Sequence, residues 1–161
     1  SWNAENLDSH LKLFDIYLQQ KNETLALDIL KRIAKKSTNI IFLNNLEGNL
    51  YLQLGKLAEA EKIFLASLKK SQNRPAVYGL YRVYKQQEQF SKALDLLTLW
   101  VKENPRDITS QIAIADTLVA TNQLQSAAKK YQDLIEVFSE LPILLNNAAQ
   151  VFIKLGSSLR H

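Results

Sequence analysis

The chain has no cysteine and no methionine, and only two histidines, three prolines and four glycines among its 161 residues. Without cysteine there is no disulfide framework, thiolate metal site or cysteine nucleophile, and the redox compartment is left open. So little glycine and proline leaves too few turn residues for an all-β or α/β fold, whereas Leu, Ala, Lys, Gln and Glu are plentiful and favour helix. The longest apolar runs, IIFL at 40–43 and LPILL at 141–145, are far too short to cross a bilayer, and the first residues lack the pattern of a signal peptide. Because the chain begins at Ser1, a processed or partial chain is expected, with any targeting segment lying outside it.

Catalytic patterns are missing too. There is no GxGxxG or GxxxxGK[ST] phosphate loop, no HExxH and no GxSxG elbow, so no cofactor, small-molecule substrate or enzymatic activity is expected. His161 is terminal, and His10 has Asp8 and Asp15 nearby but no second convergent ligand, too few groups for a metal site. Glu59 and Glu61 fall on different sides of one expected helix and read as surface acids.

What is present is 47% hydrophobic and 22% charged residues, enough to bury a core, and a net charge of +4. The basic residues gather as Lys31, Arg32, Lys35 and Lys36, then Lys69 and Lys70, then Lys129 and Lys130. These lie in or near the last turns of expected helices, where the macrodipole favours cations. No aromatic residues interleave a single basic stripe, so nucleic-acid binding is an alternative rather than the main reading.

The chain also repeats. Ala26 with Leu30, Ala60 with Phe64, Ala93 with Leu97 and Ala127 with Tyr131 each place a small residue four before a large one, and the alanines are 34, 33 and 34 residues apart. Nine residues before each alanine stand Tyr17, Tyr51, Tyr84 and Leu118, and Phe152 begins a fifth copy. Small residues returning once per repeat mark places where another backbone must approach.

On these residues the sequence resembles the tetratricopeptide repeat (TPR) family, whose unit is a helix-turn-helix of about 34 residues. The resemblance implies an all-α, right-handed α-solenoid: one domain over 1–161 with repeats at 7–40, 41–73, 74–107 and 108–141, and the first helix of a fifth at 142–161. First helices are expected near 7–20, 40–53, 75–88, 108–121 and 142–154, and second helices near 24–36, 57–71, 91–103 and 124–138. In residues 41–73, Gly48 matches the small eighth position, Gly55 the turn, Ala60 the twentieth, Phe64 the twenty-fourth and Ser67 the twenty-seventh. Asp107 is suited to cap the helix starting at Ile108, Gly55 and Asn122 suit tight connections, and Asn73 or Ser37 with Thr38 can set turns between repeats.

There are departures. No repeat has the family's tryptophan at the fourth position, and only Pro105 fits the closing proline. Phe14 and Tyr81 replace the small eighth residue, and Tyr81 implies either a wider or a tilted helix pair in the third repeat.

In the family, the first helices line a concave groove that binds peptide or protein. Carried over, the groove positions include Asn45, Asn49, Tyr78, Arg82, Lys85, Asn146 and Gln150. Asn and Gln can pair with the backbone of an extended peptide. Tyr78 and Arg82, one turn apart, are the expected anchor. A non-enzymatic interaction scaffold is the function this implies. The groove also mixes Asp15 and Asp116 with Lys154, unlike the lysine-and-asparagine clamp that some members use for a C-terminal carboxylate. The run LEGNLYLQLGKLAEAEKIF at 46–64 is further similar to repeats of bacterial TPR lipoproteins of the PEP-CTERM/exosortase sorting system. That likeness would imply a periplasmic or cell-envelope location and a role in protein sorting and exopolysaccharide export; otherwise a cytoplasmic one is expected. The last helix has apolar residues Leu145, Ala148, Ala149, Phe152 and Leu155 but no following helix to cover its outer side, so it is expected either to cap the solenoid or to form a homodimer through 142–154.

Overall fold

A computed structural model describes residues 4–158. The described residues form nine helices and no strands: α1 (Ala4–Gln19), α2 (Glu23–Ala34), α3 (Ile40–Gln53), α4 (Leu57–Lys70), α5 (Arg74–Gln86), α6 (Phe90–Glu103), α7 (Ile108–Ala120), α8 (Leu124–Val137) and α9 (Pro142–Ser158). They divide into two compact units, α1–α5 and α6–α9, with the division after Glu88. In the first unit, α1 packs on α2 and α3 on α4, and α5 packs on both members of the second pair. In the second, α6 packs on α7, α7 on α8, and α8 on α9.

Capping side chains start most of the first helices. Asn39 Oδ1 accepts from Phe42 N at 3.0 Å, Asn73 Oδ1 from Ala76 N at 3.0 Å, and Asp107 Oδ1 from Ser110 N at 3.3 Å. Each satisfies an amide that the helix itself leaves without a partner. Asp107 also accepts from the Trp100 indole N–H at 2.8 Å, which ties the end of α6 to the start of α7.

Inside each repeat one residue turns left-handed: Lys21, Gly55, Glu88 and Asn122, with φ of 52°, 74°, 57° and 58°. Next to three of these, a backbone amide reaches back to a carbonyl five residues earlier: Asn22 to Tyr17, Lys56 to Tyr51 and Gln123 to Leu118, at 2.8 to 2.9 Å. A left-handed residue with this bond is how a helix ends in one tight turn. Only Gly55 meets the demand without a steric cost.

The second helices bury one stripe each, at Ala26, Ile29, Leu30 and Ile33 in α2, Ala60, Phe64 and Ser67 in α4, and Ala127, Tyr131 and Leu134 in α8. This is the i, i+3, i+4, i+7 spacing of a helix with one face in the core. The Phe64 ring is fully buried against two glycines. A β-carbon on Gly48 would come within 2.6 Å of Phe64 Cε1, and one on Gly79 would collide with ring atoms Cζ and Cε1. The close approach thus involves the sixth position of the following repeat as well as the eighth position of the ring's own. Tyr81, the ring at the eighth position of the third repeat, is buried with its centroid 5.5 Å from that of Tyr78 and the planes tilted by 43°.

In α9 the buried residues are Leu144, Ala148 and Val151, packed with α8 residues Tyr131 and Leu134. Leu145, Phe152 and Ile153 are 52%, 41% and 73% exposed. The face that would meet a second helix is therefore open to solvent. No described helix is long and apolar enough to cross a membrane.

Candidate functional site

The residues expected to meet a partner lie on first helices, and each unit presents its own set. On α5, Tyr78, Arg82 and Lys85 follow at i, i+4 and i+7 and so share one face. Tyr78 and Arg82 are half-buried and Lys85 is exposed. The tilted contact with Tyr81 orients the Tyr78 ring from below.

On α3, Asn45 and Asn49 are half-buried. Asn45 has partners within the protein: its Nδ2 donates to Asn73 Oδ1 at 3.0 Å and its Oδ1 accepts from Ser67 Oγ at 3.1 Å. Asn73 Nδ2 in turn donates to Ser67 Oγ at 3.2 Å and to the Ser71 carbonyl at 2.9 Å. Ser67 is fully buried, and this three-residue network supplies its hydroxyl with partners while fixing the cap of α5. The Asn45 amide, a groove position by sequence, thus also joins three helices through these bonds.

On the other side of α5 lies a second polar group that the sequence did not reveal. Gln87 Nε2 donates to Glu61 Oε2 at 3.2 Å. Burial, together with the charge of Glu61 and a hydrogen bond to it, pushes the Tyr84 phenol above its ordinary value, because each of these disfavours the phenolate. Between the first two repeats, Lys56 Nζ donates to both carboxylate oxygens of Glu23 at 2.6 and 2.8 Å. That hydrogen bond holds the Lys56 ammonium above its usual range.

In the second unit, Asn146 and Gln150 are exposed on α9. Beside them is a pairing not anticipated from the sequence. The Tyr131 hydroxyl donates a short hydrogen bond to Asp116 Oδ1 and accepts one from Asn147 Nδ2 at 3.2 Å. Tyr131 occupies the twenty-fourth position of its repeat, as Phe64 does, and Asn147 occupies the sixth, as Gly79 does. Where the first unit places glycines around a phenyl ring, the second places a carboxylate and an amide around a phenol. The extra hydroxyl on a buried ring needs such partners. Among the described residues, no group of three or more His, Asp or Glu side chains comes together in a way that could hold a metal ion.

No protein-family model and no curated protein matches the sequence. Solved structures do match in shape. A Podospora anserina protein of kinesin light chain type, with nearly identical TPR-like repeats, is 16% identical with a TM-score of 0.74, over 99% of this chain and 92% of that one. MamA from Desulfovibrio magneticus RS-1 is 19% identical with a TM-score of 0.69, over 92% of this chain and 85% of that one. The fold is that of TPR-like repeats. At these identities the likeness is one of backbone architecture: an all-α helical repeat built from the hairpins described above.

Proposed function

We propose that the protein is a non-enzymatic interaction scaffold that binds a peptide or protein segment along its first-helix faces, with Tyr78 and Arg82 as the anchor in the first unit. The observation that carries this reading is the α5 face itself. A tyrosine ring held by a second ring stands one turn from a half-buried guanidinium, with Lys85 one turn further. Tyrosine and arginine are the residue types on which interface energy concentrates, since they combine area, rigidity and directed donors. A ring that is already oriented loses less freedom on binding than a mobile one.

The test begins with capture of partners by the wild-type chain and titration of the captured protein against variants. Tyr78→Ala and Arg82→Ala should each weaken binding by about 1 to 3 kcal/mol while far-UV circular dichroism stays unchanged. Equal affinity for wild type and both variants would remove this face from the account.

A further inference from the structure

The net charge of +4 lies wholly in the first unit. Residues 1–88 hold thirteen Lys and Arg against nine Asp and Glu, whereas residues 89–161 hold seven against seven. Within the first unit it is concentrated again: residues 29–46 contain four basic and no acidic residues, and residues 62–87 six and none. Lys31, Arg32, Lys35 and Lys36 come from the end of α2, Lys69 and Lys70 from the end of α4, and all six are exposed. The fold brings these two ends to one edge. Each runs into a short connection to the next first helix, and Asn73, just after α4, bonds to Asn45 in the second turn of α3 at 3.0 Å. Both basic segments therefore flank the start of α3, whose first residue, Ile40, is 50% exposed.

We propose that this edge of the first unit binds the surface of a bilayer rich in anionic lipid, with the six cations over the headgroup phosphates and Ile40 entering the interface. Helix ends do not use up the charge. The C-termini of α2 and α4 each present about half a negative charge, and the N-termini of α3 and α5, which start at the same edge, each return about half a positive one. Asp28 pairs with Arg32 at 2.8 Å, which offsets one cation of the six. The residue types favour a lipid surface over other polyanions. Five of the six are lysines, point charges on flexible stems that can follow a fluid plane of headgroups, whereas an anion held in one register calls for the planar fork of arginine. The segments AKKSTNI at 34–40 and KKSQNR at 69–74 contain no aromatic residue on which a nucleic-acid base could stack. Clusters of about four to eight exposed Lys and Arg are attracted to anionic leaflets, and an exposed isoleucine beside them adds apolar contact at headgroup depth.

The test is co-sedimentation of the whole chain with vesicles of phosphatidylcholine alone and of equal parts phosphatidylcholine and phosphatidylglycerol. The chain should bind the mixed vesicles and not the neutral ones, and binding should fall as ionic strength rises. Lys35→Gln combined with Lys36→Gln should weaken it about 25-fold, roughly fivefold for each charge removed. Lys102→Gln combined with Lys129→Gln removes the same charge from exposed positions in the second unit and should leave binding nearly unchanged. Ile40→Ala should weaken it severalfold without altering the dependence on ionic strength. A single-stranded oligonucleotide and polyglutamate, titrated at the same concentration of anionic groups, should bind more weakly than the mixed vesicles. The proposal is overturned if neutral and mixed vesicles bind alike, if the two lysine pairs have equal effects, or if the oligonucleotide or polyglutamate binds as tightly as the vesicles. Tyr78→Ala should leave vesicle binding unchanged, so failure here and failure of the α5 face are separate results.

Discussion

At Gly79 a single hydrogen atom decides whether α5 reaches α4. Alanine is ordinarily the better helix residue by about 1 kcal/mol, yet at this position its methyl group would enter the fully buried Phe64 ring. Overpacking of that kind costs about 1 to 3 kcal/mol. Gly79→Ala should therefore lower the urea midpoint with an unchanged denaturant slope, whereas Gly156→Ala, with no atom within 4 Å of the added carbon, should raise it or leave it unchanged. Tyr84 supplies a second prediction. Its phenol is held above the ordinary value by burial and by Glu61, so the folded state binds this proton more tightly than the unfolded state does. The associated stability is fully present below a pH of about 10 and is lost as pH rises through the folded value. Unfolding curves should show wild type losing stability on the alkaline side more steeply than Tyr84→Phe; parallel curves above pH 10 would contradict the assignment.

At the scale of helices, the turn between α4 and α5 shows how a polar side chain sets packing as well as direction. Asn73 caps α5, accepts from Asn45 of α3 and donates to Ser67 of α4. Asn73→Ala should destabilise the protein by about 1 to 2 kcal/mol, the upper part of the capping range, because Asn45 and buried Ser67 lose a partner together. A change in thermal midpoint no larger than that of Asn22→Ala, which removes a cap without such a network, would show the network to be inert. The helices themselves were legible because alanines recur at 26, 60, 93 and 127 and turn residues stand between them. Asp107, Gly55, Asn73 and Asn122 were identifiable as caps or turn residues for the local reasons that place such residues there. What was not legible is which helix each small residue faces. A periodic pattern marks a face as narrow, but it does not show that Phe64 meets Gly79 of the next repeat as well as Gly48 of its own. Nor does it show that the Tyr131 hydroxyl finds Asp116 and Asn147. These contacts depend on how successive first helices are set around a shared second helix, a tertiary distance that neither residue type encodes. Asn45 illustrates the same limit from the opposite direction: its type suits a peptide ligand, but its bonds to Ser67 and Asn73 are tertiary and were not legible.

For the molecule as a whole, both helix types fill the core: the second helices at Ala26, Ala60, Ala93 and Ala127 and the large residues four positions on, the first helices at Phe14, Leu50, Val77, Leu80, Ala115 and Leu144. The first helices also present the candidate partner residues, with Tyr78 and Arg82 on α5 and Asn147 and Gln150 on α9, on faces that are half-buried or exposed. In a repeat protein each unit rests mainly on its neighbours, so surface residues on one helix type can vary with little effect on the fold. That the first helices carry the partner-binding face is the central claim, and it is tested most directly by hydrogen–deuterium exchange of the full chain, alone and with the protein that it captures. The account predicts slower exchange on binding in α5 and α9, with α2, α4, α6 and α8 unchanged. Protection confined to the second helices would contradict it.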